Sequence, residues 1–299
     1  MLGRATYWRL RQKRRVRRVQ PYTPSFIRHV EEDIRILKLV AANASVDPFD
    51  LWPFMRKGRG VREVVEELGL TAPKVLYGPM PSRDVPWDVL PSSFVAKPAT
   101  GSSSRGVFVM RRSKDGVFDD LMKGRRWTAE DLVRQYEKLP SNWHHVLNDE
   151  VLIEEVVESR GRPSYDWKVY AFRGEIALIE QIDRLGGATR FRHYLPDWTP
   201  ALHAWSGRYD REDPLDAPVR PDELLQTAAA VSSALPLPFV RVDLYESDTQ
   251  VFVGELTPFP GGSVEHSPAW DRILGEAWER GEADLRVTGM PRYDLATAP

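Results

Sequence analysis

Apolar and polar positions alternate with period 2 through the middle of the chain and recur at intervals of 3–4 towards both ends. In residues 24–43, Phe26, Ile27, Val30, Ile34, Leu37 and Leu39 or Val40 recur at helical spacing, with Ser25 near the N-cap and Asn43 as a stop. Residues 61–70 give a second amphipathic helix (Val61, Val64, Val65, Leu68) that ends at Gly69. The apolar run 73–79 between two prolines predicts a strand, and helix, glycine and strand together suggest an α/β unit. Residues 94–112 read as strand, loop, strand. Thr128 and Asp131 have capping-box spacing and open a helix over 128–139. A β-run starts at Val151 and breaks at Glu154-Glu155. Residues 164–184 form two alternating strands around the turn FRGE, with Asp166, Lys168 and Tyr170 on one face and Trp167, Val169 and Ala171 on the other. The stretch 186–198 reads as a flexible basic loop carrying Arg190 and Arg192. Pro221, Asp222 and Glu223 suit the first turn of a helix over 221–234. A hairpin at 239–262 and a last helix over about 268–280 follow, with an extended tail from 282.

The hairpin FVRVDLYESDTQVFVGELTPFPGG contains two acids that its pattern does not explain. Asp243 and Glu255 interrupt runs otherwise suited to burial, and a buried carboxylate is costly unless it is paired or binds a cation. They share a face only if the loop has an odd number of residues. Three loop residues set 243 opposite 255; two set it opposite 254. The two readings are an edge hairpin with solvated acids and a site for a divalent cation.

Composition narrows the classes. The chain has 299 residues, with 42% hydrophobic and 28% charged positions, enough for two or three subdomains with a sizeable core. No apolar run of about 18 residues predicts a transmembrane helix, and no apolar signal core follows the N-terminus. Cysteine is absent, which excludes disulfides, thiolate metal sites and cysteine nucleophiles and fits a cytoplasmic protein. Net charge is −1, but residues 1–18 hold eight basic side chains and no acid, leaving 34 basic against 43 acidic residues elsewhere. Such an arm can bind nucleic acid or an anionic surface; no zinc spacing or helix-turn-helix pattern supports nucleic-acid recognition, and the plainer reading is a solvated helix on an acidic body. His144 and His145 are adjacent in sequence, so they do not share a face as a metal pair would.

Two stretches suit phosphate. PATGSSSRG, between strands, is a small-residue loop in which Gly101, Ser102, Ser103, Ser104 and Gly106 let backbone N–H groups approach a polyphosphate, with Lys97 as a point charge at its base. It is neither a Walker loop nor a Rossmann fingerprint, and alone it is equally an ordinary hairpin loop. Lys168, inside a β-run, is a second cation placed to meet an anion.

The order of these features resembles the ATP-grasp superfamily, in the branch typified by the teichuronopeptide-biosynthesis protein TupA. The residues carrying the likeness are FVAKPATGSSSRGV, VLIEEVV, YDWKVYAFRGE, YLPDW and the 239–262 hairpin, over roughly residues 60–280. The resemblance implies an α+β fold of two lobes clasping ATP: a basic arm (1–20), an N-terminal α/β region (21–91), a small lobe (92–158) and a large lobe (159–290). It implies that Lys97 contacts the α- and β-phosphates, that Gly101–Gly106 fold over them, and that Glu154, Glu155, Val156 and Val157 hold adenine. Lys168 would meet the β- and γ-phosphates, with Arg184 and Arg190 on the transferred phosphoryl group as the catalytic set. Glu158 and Asp166 are the candidates for ribose. Asp243 and Glu255 would hold Mg2+, or Mn2+ in its place, with Thr257 where many relatives have Asn. Gly261, Gly262, Ser263 and His266 are placed to meet substrate. The implied activity is an ATP-dependent carboxylate–amine ligase acting through an acyl phosphate, in glycan or secondary-metabolite synthesis. The alternatives are a kinase that stops at phosphoryl transfer and a non-catalytic nucleotide-binding protein.

Overall fold

The computed structural model describes residues 23–44, 59–99, 104–139, 150–206, 212–261 and 266–290. Two antiparallel sheets divide them. The first contains β1 (Val75–Pro81), β2 (Ser93–Pro98), β3 (Phe108–Arg112), β4 (Phe118–Asp120), β5 (Arg125–Trp127) and β6 (Glu150–Glu154), in the order β1-β6-β2-β3-β4-β5. The second contains β9 (Asp166–Phe172), β10 (Glu175–Asp183), β11 (Arg190–Tyr194), β12 (Val240–Glu246) and β13 (Val251–Thr257), in the order β11-β10-β9-β12-β13. A two-stranded ribbon of β7 (Glu158–Ser159) and β8 (Arg162–Pro163) follows the first sheet in the chain.

Each sheet packs one face against helices through alternating apolar residues. In the first, Phe94, Ala96, Phe108, Met110, Val151 and Ile153 pack with Trp87 and with α3 (Ala129–Glu137). Thr128 caps α3 through the reciprocal box with Asp131, as its spacing predicts. In the second, Trp167, Val169, Ile179, Val240 and Val242 pack against α4 (Pro221–Ala234) and α2 (Arg59–Glu67). Its opposite face is divided. One end, with Tyr170, Phe172 and Leu178, is covered by α1 (Phe26–Ala44) and α5 (Pro268–Thr288). The rest carries charge.

The α+β class holds. The described residues of 21–91 are divided between the two sheets. Strand β1 is an edge of the first sheet, paired to β6, while α2 packs into the core of the second. The helix–glycine–strand sequence that suggested an α/β unit therefore crosses from one lobe to the other after Ala72: Leu70 and Ala72 still pack on the large-lobe core and Thr71 O accepts from Val253 N–H at 2.8 Å. Helix α1 also belongs to the large lobe, held against the start of α5: buried Asp271 accepts from Ser25 Oγ (2.8 Å) and from the Ile27 backbone N–H (2.9 Å). It thereby supplies the acceptor that the first turn of α1 needs. Helix α5 runs past the expected end to Thr288 and stops at left-handed Gly289. The basic arm, the His144-His145 pair and most of the glycine loop (Gly101, Ser102, Ser103) lie outside the described residues, as do Gly262 and Ser263.

The stretch around Arg190 is not a loop. RFRHY is strand β11, paired residue for residue with β10 from Ile179↔Tyr194 to Asp183↔Arg190. Its free edge is covered by an extended strap at 212–216. There Asp213 N–H donates to Phe191 O (2.8 Å), Phe191 N–H donates to Asp213 Oδ2 (2.8 Å) and His193 N–H donates to Glu212 Oε2 (3.0 Å). A covered edge offers no free ladder to another chain.

Candidate active site

The charged face of the large sheet is organised by register. Glu180 lies opposite both His193 and Lys168, Lys168 opposite Asp243, and Asp243 opposite Glu255. Directly opposed residues in antiparallel strands share a face, so these five side chains form one row across all five strands. Asp166, Arg241 and Tyr245 extend the same face along β9 and β12.

Asp243 and Glu255 do share a face, but the mechanism is not an odd loop. Glu246 pairs with Val251, so the loop has an even number of residues and regular pairing would set Asp243 against Gly254. A bulge shifts the register between Asp243 and Leu244, and Gly254 is the extra residue. Glycine is needed there because a Cβ would lie 2.5 Å from Cε2 of Tyr245.

Asp243 is buried and heavily countered. Lys168 Nζ closes an ion pair on Oδ2 and lies 3.2 Å from Asp166 Oδ1. Arg241 grips both oxygens, with Nε 2.6 Å from Oδ1 and a terminal nitrogen 2.8 Å from Oδ2, and also donates to Thr257 Oγ1 (3.1 Å). Thr257 in turn donates to Glu255 Oε1 at 3.4 Å. Arg184 donates to Asp166 Oδ2 at 3.3 Å. Burial alone would raise the Asp166 pKa, but Lys168, Arg184 and Arg241 bring it below the usual carboxylate range. The residue that sequence reasoning missed is Arg241. The signal was present, since R-V-D alternation places it on the face of Asp243.

The small lobe contributes its own lysine. Lys97 and Glu154 point away from the small-lobe core and pair at 2.6 Å, with 17% and 9% of their side chains exposed. The two charged faces meet at Tyr245. Burial first, then the charges of Asp166, Asp243, Glu154 and Glu255, push its phenol well above the usual range.

Other candidates fall elsewhere. Arg190 is on the opposite face of the sheet from Lys168, in an ion pair with Asp183, which Arg162 also holds at 2.7 Å. Its place in the catalytic set is corrected by the alternation of β11, which turns its side chain from the row. Glu155 spends its carboxylate on the Lys74 N–H (2.8 Å) and its own N–H on the Lys74 carbonyl (3.0 Å), extending β1 pairing instead of facing a ligand. Val157 O accepts from Ser164 N–H at 2.9 Å. Glu158 pairs with Arg111 at 3.9 Å. His266 is fully buried among Phe26, Tyr170 and Trp205. The described end of the glycine loop is fixed: the Tyr136 hydroxyl donates to Gly106 O (2.8 Å), and a Cβ on Gly106 would meet Pro98 and Leu139 at 2.9 Å.

Among the described residues no group of three or more His, Asp or Glu gathers as a ready metal cage. Asp243, Glu255 and Thr257 nevertheless form an oxygen-only donor set on one face. That set fits Mg2+, which takes one or two carboxylates and completes its shell with phosphate oxygens and water.

A protein-family model described as TupA-like ATPgrasp matches residues 77–279, and the chain belongs to that family. Its fold is accordingly the two-lobed α+β ATP-grasp. Comparison with curated proteins finds no significant match. Among solved structures, a D-alanine–D-alanine ligase from Bacillus anthracis aligns at 16% identity over 79% of this chain and 70% of its own, with a TM-score of 0.47. The VanG D-Ala:D-Ser ligase from Enterococcus faecalis aligns at 11% identity over 78% and 62%, with a TM-score of 0.45. The ATP-grasp ligase PsnB, in complex with a phosphomimetic variant of its minimal precursor, Mg and ADP, aligns at 13% identity over 77% and 59%, with a TM-score of 0.39.

Proposed function

We propose that the protein is an ATP-dependent carboxylate–amine ligase. The observation that carries this reading is the pairing of a lysine with an acid on the charged face of each sheet, beside two aligned carboxylates on the larger one. Such lysines exchange an acid partner for phosphate oxygens without new desolvation. In this reading Lys97 takes the α- and β-phosphates, and Lys168 the β- and γ-phosphates. Ser104 and Gly106, with Gly101–Ser103, cover them. Val156 and Val157 face adenine through their backbone, next to Glu154, and Asp166 is the ribose candidate. Asp243, Glu255 and Thr257 hold Mg2+, or Mn2+, which when bound neutralises phosphate charge. Arg184 and Arg241 are guanidinium forks beside the transferred group.

The chemistry follows from positioning and charge. A carboxylate oxygen of the acid attacks the γ-phosphorus, the bond to the bridging oxygen breaks, and ADP leaves. The amine then attacks the acyl carbon and phosphate leaves, forming an amide. Family likeness points to a uronic acid as acid substrate and an amino acid as amine, in glycan or secondary-metabolite synthesis. Among the described residues no helix is long and apolar enough to cross a membrane. The proposed setting is the cytoplasm, where ATP and Mg2+ are supplied and a chain without cysteine needs no oxidising environment.

The test has two arms. A fluorescent ATP analogue with Mg2+ is titrated into the wild type and into Asp243→Asn/Glu255→Gln; equal affinities would remove these acids from the site. The wild type is then given ATP, glucuronic acid and L-glutamate. Release of ADP and phosphate that depends on the amine, with the amide mass, supports a ligase. A stable phosphorylated acid with no amide would move the protein to the kinases.

A further inference from the structure

The row across the large sheet continues past Lys168, away from Asp243 and Glu255, into two residues that the proposed reaction does not yet use. Glu180 is directly opposite Lys168, and 6% of its side chain is exposed. Lys168 itself is turned towards Asp243 and Asp166. The Glu180 carboxylate meets His193 Nε2 at 3.9 Å, outside hydrogen-bond reach, and that buried nitrogen has no hydrogen-bond partner. The other ring nitrogen, Nδ1, lies 2.8 Å from Glu212 Oε1, whose side chain is 26% exposed. In the tautomer whose Nδ1 donates to Glu212, the Nε2 lone pair is aimed at Glu180. The three groups therefore run from the cleft, through the edge strand β11, to the surface strap.

We infer that Glu180, His193 and Glu212 form a proton relay that takes the proton of the amine substrate out of the closed cleft. The inference rests on the ligase reading. An amine reaches the site as an ammonium ion and attacks only after deprotonation. Glu180 accepts that proton and passes it to His193 Nε2, while the Nδ1 proton moves to Glu212 and on to water. The free amine then forms the C–N bond as the acyl C–O bond breaks, and its second proton leaves with the phosphate. The charged and titratable groups around Glu180 are His193 on β11, Lys168, Asp166 and Tyr170 on β9, Arg184 just after β10, and Arg241 on β12. Those facing His193 are Glu180 and Glu212. Burial, ahead of the lowering effect of His193, Lys168 and Arg241, raises the Glu180 pKa above its ordinary value.

Hydroxylamine separates this role from a structural one, because it is largely unprotonated at neutral pH and needs no base. With ATP, Mg2+ and glucuronic acid, the wild type should give the amide with L-glutamate and the hydroxamate with hydroxylamine. Glu180→Gln and His193→Gln should lose amide formation by about 100-fold or more and keep hydroxamate formation within a few-fold. Loss of both products, or of neither, would overturn the relay. A wild type that makes neither product would overturn the ligase reading and the relay with it.

Discussion

Lys97 and Lys168 stand on the charged faces of two antiparallel sheets, and each closes an ion pair with an acid on a neighbouring strand. Their surroundings differ. Lys97 has Glu154 and keeps 17% of its side chain exposed. Lys168 is more deeply buried and shared between Asp243 and Asp166, and Asp243 is also gripped by Arg241. A pair with one partner on each side needs only one replacement when a ligand arrives. A buried network is costly to break unless something replaces each lost partner. The small lobe is therefore built to yield its lysine readily, and the large lobe to hold its charges until a nucleotide and a cation arrive together.

The comparison can be broken first by removing one acid from each sheet. Asp243→Ala leaves Lys168 and Arg241 buried beside a missing charge and should cost about 3–5 kcal/mol in urea unfolding. Glu154→Ala should cost less, about 1–3 kcal/mol, since only Lys97 loses a partner and 17% of its side chain is exposed. Equal losses would mean that the two lysines are held alike. Gly254→Ala comes next: its Cβ must move the Tyr245 ring or undo the bulge. We expect about 1–3 kcal/mol of destabilisation and at least about a tenfold loss of MgATP affinity, read by calorimetry. A variant that binds normally would detach the bulge from the site.

The smallest effect sharpens the comparison through pH. The lowered Asp166 pKa contributes stability that is present above its unfolded value, about 3.9, and is lost as pH falls through the folded value. Glu180 has the opposite sign. Its raised pKa means that the folded state holds the proton more tightly, so stability falls as pH rises from about 4.3 towards the folded value. Glu180→Gln should therefore unfold later than the wild type at pH 7 and at the same denaturant concentration at pH 3. A variant less stable than the wild type at pH 7 would show Glu180 to be a structural partner.

Much of this was legible because alternation is a local property. The faces of β9 follow from counting by two from Lys168, and Thr128–Asp131 announces its helix. What escaped depends on distant pairing. Strand β1 reads as an isolated apolar run, and only β6, some 70 residues later, makes it part of the small sheet. RFRHY looked like a loop because three of its five residues are polar or charged on each count; its partner β10 and the strap at 212–216 settle it. The aligned acids were readable, but not the bulge that aligns them, since an even loop and an extra residue give the same facing as an odd loop. Arg190 was misplaced for the same reason: a basic residue has no face until its strand is known.

The contact between Asp271 and the first turn of α1 spans 244 residues to Ile27. It closes the large lobe around a small lobe whose strands all lie between Val75 and Glu154. During synthesis the small lobe is complete while β9 to β13 are still unmade, and α1 and α2 must wait through its folding with their apolar faces uncovered. Contacts between such distant segments form slowly, and exposed apolar surface in the interval invites association. The final helix thus acts as a late lock, and a chain arrested before Pro268 would present Phe26 and Val30 to whatever chaperone or neighbour met them first.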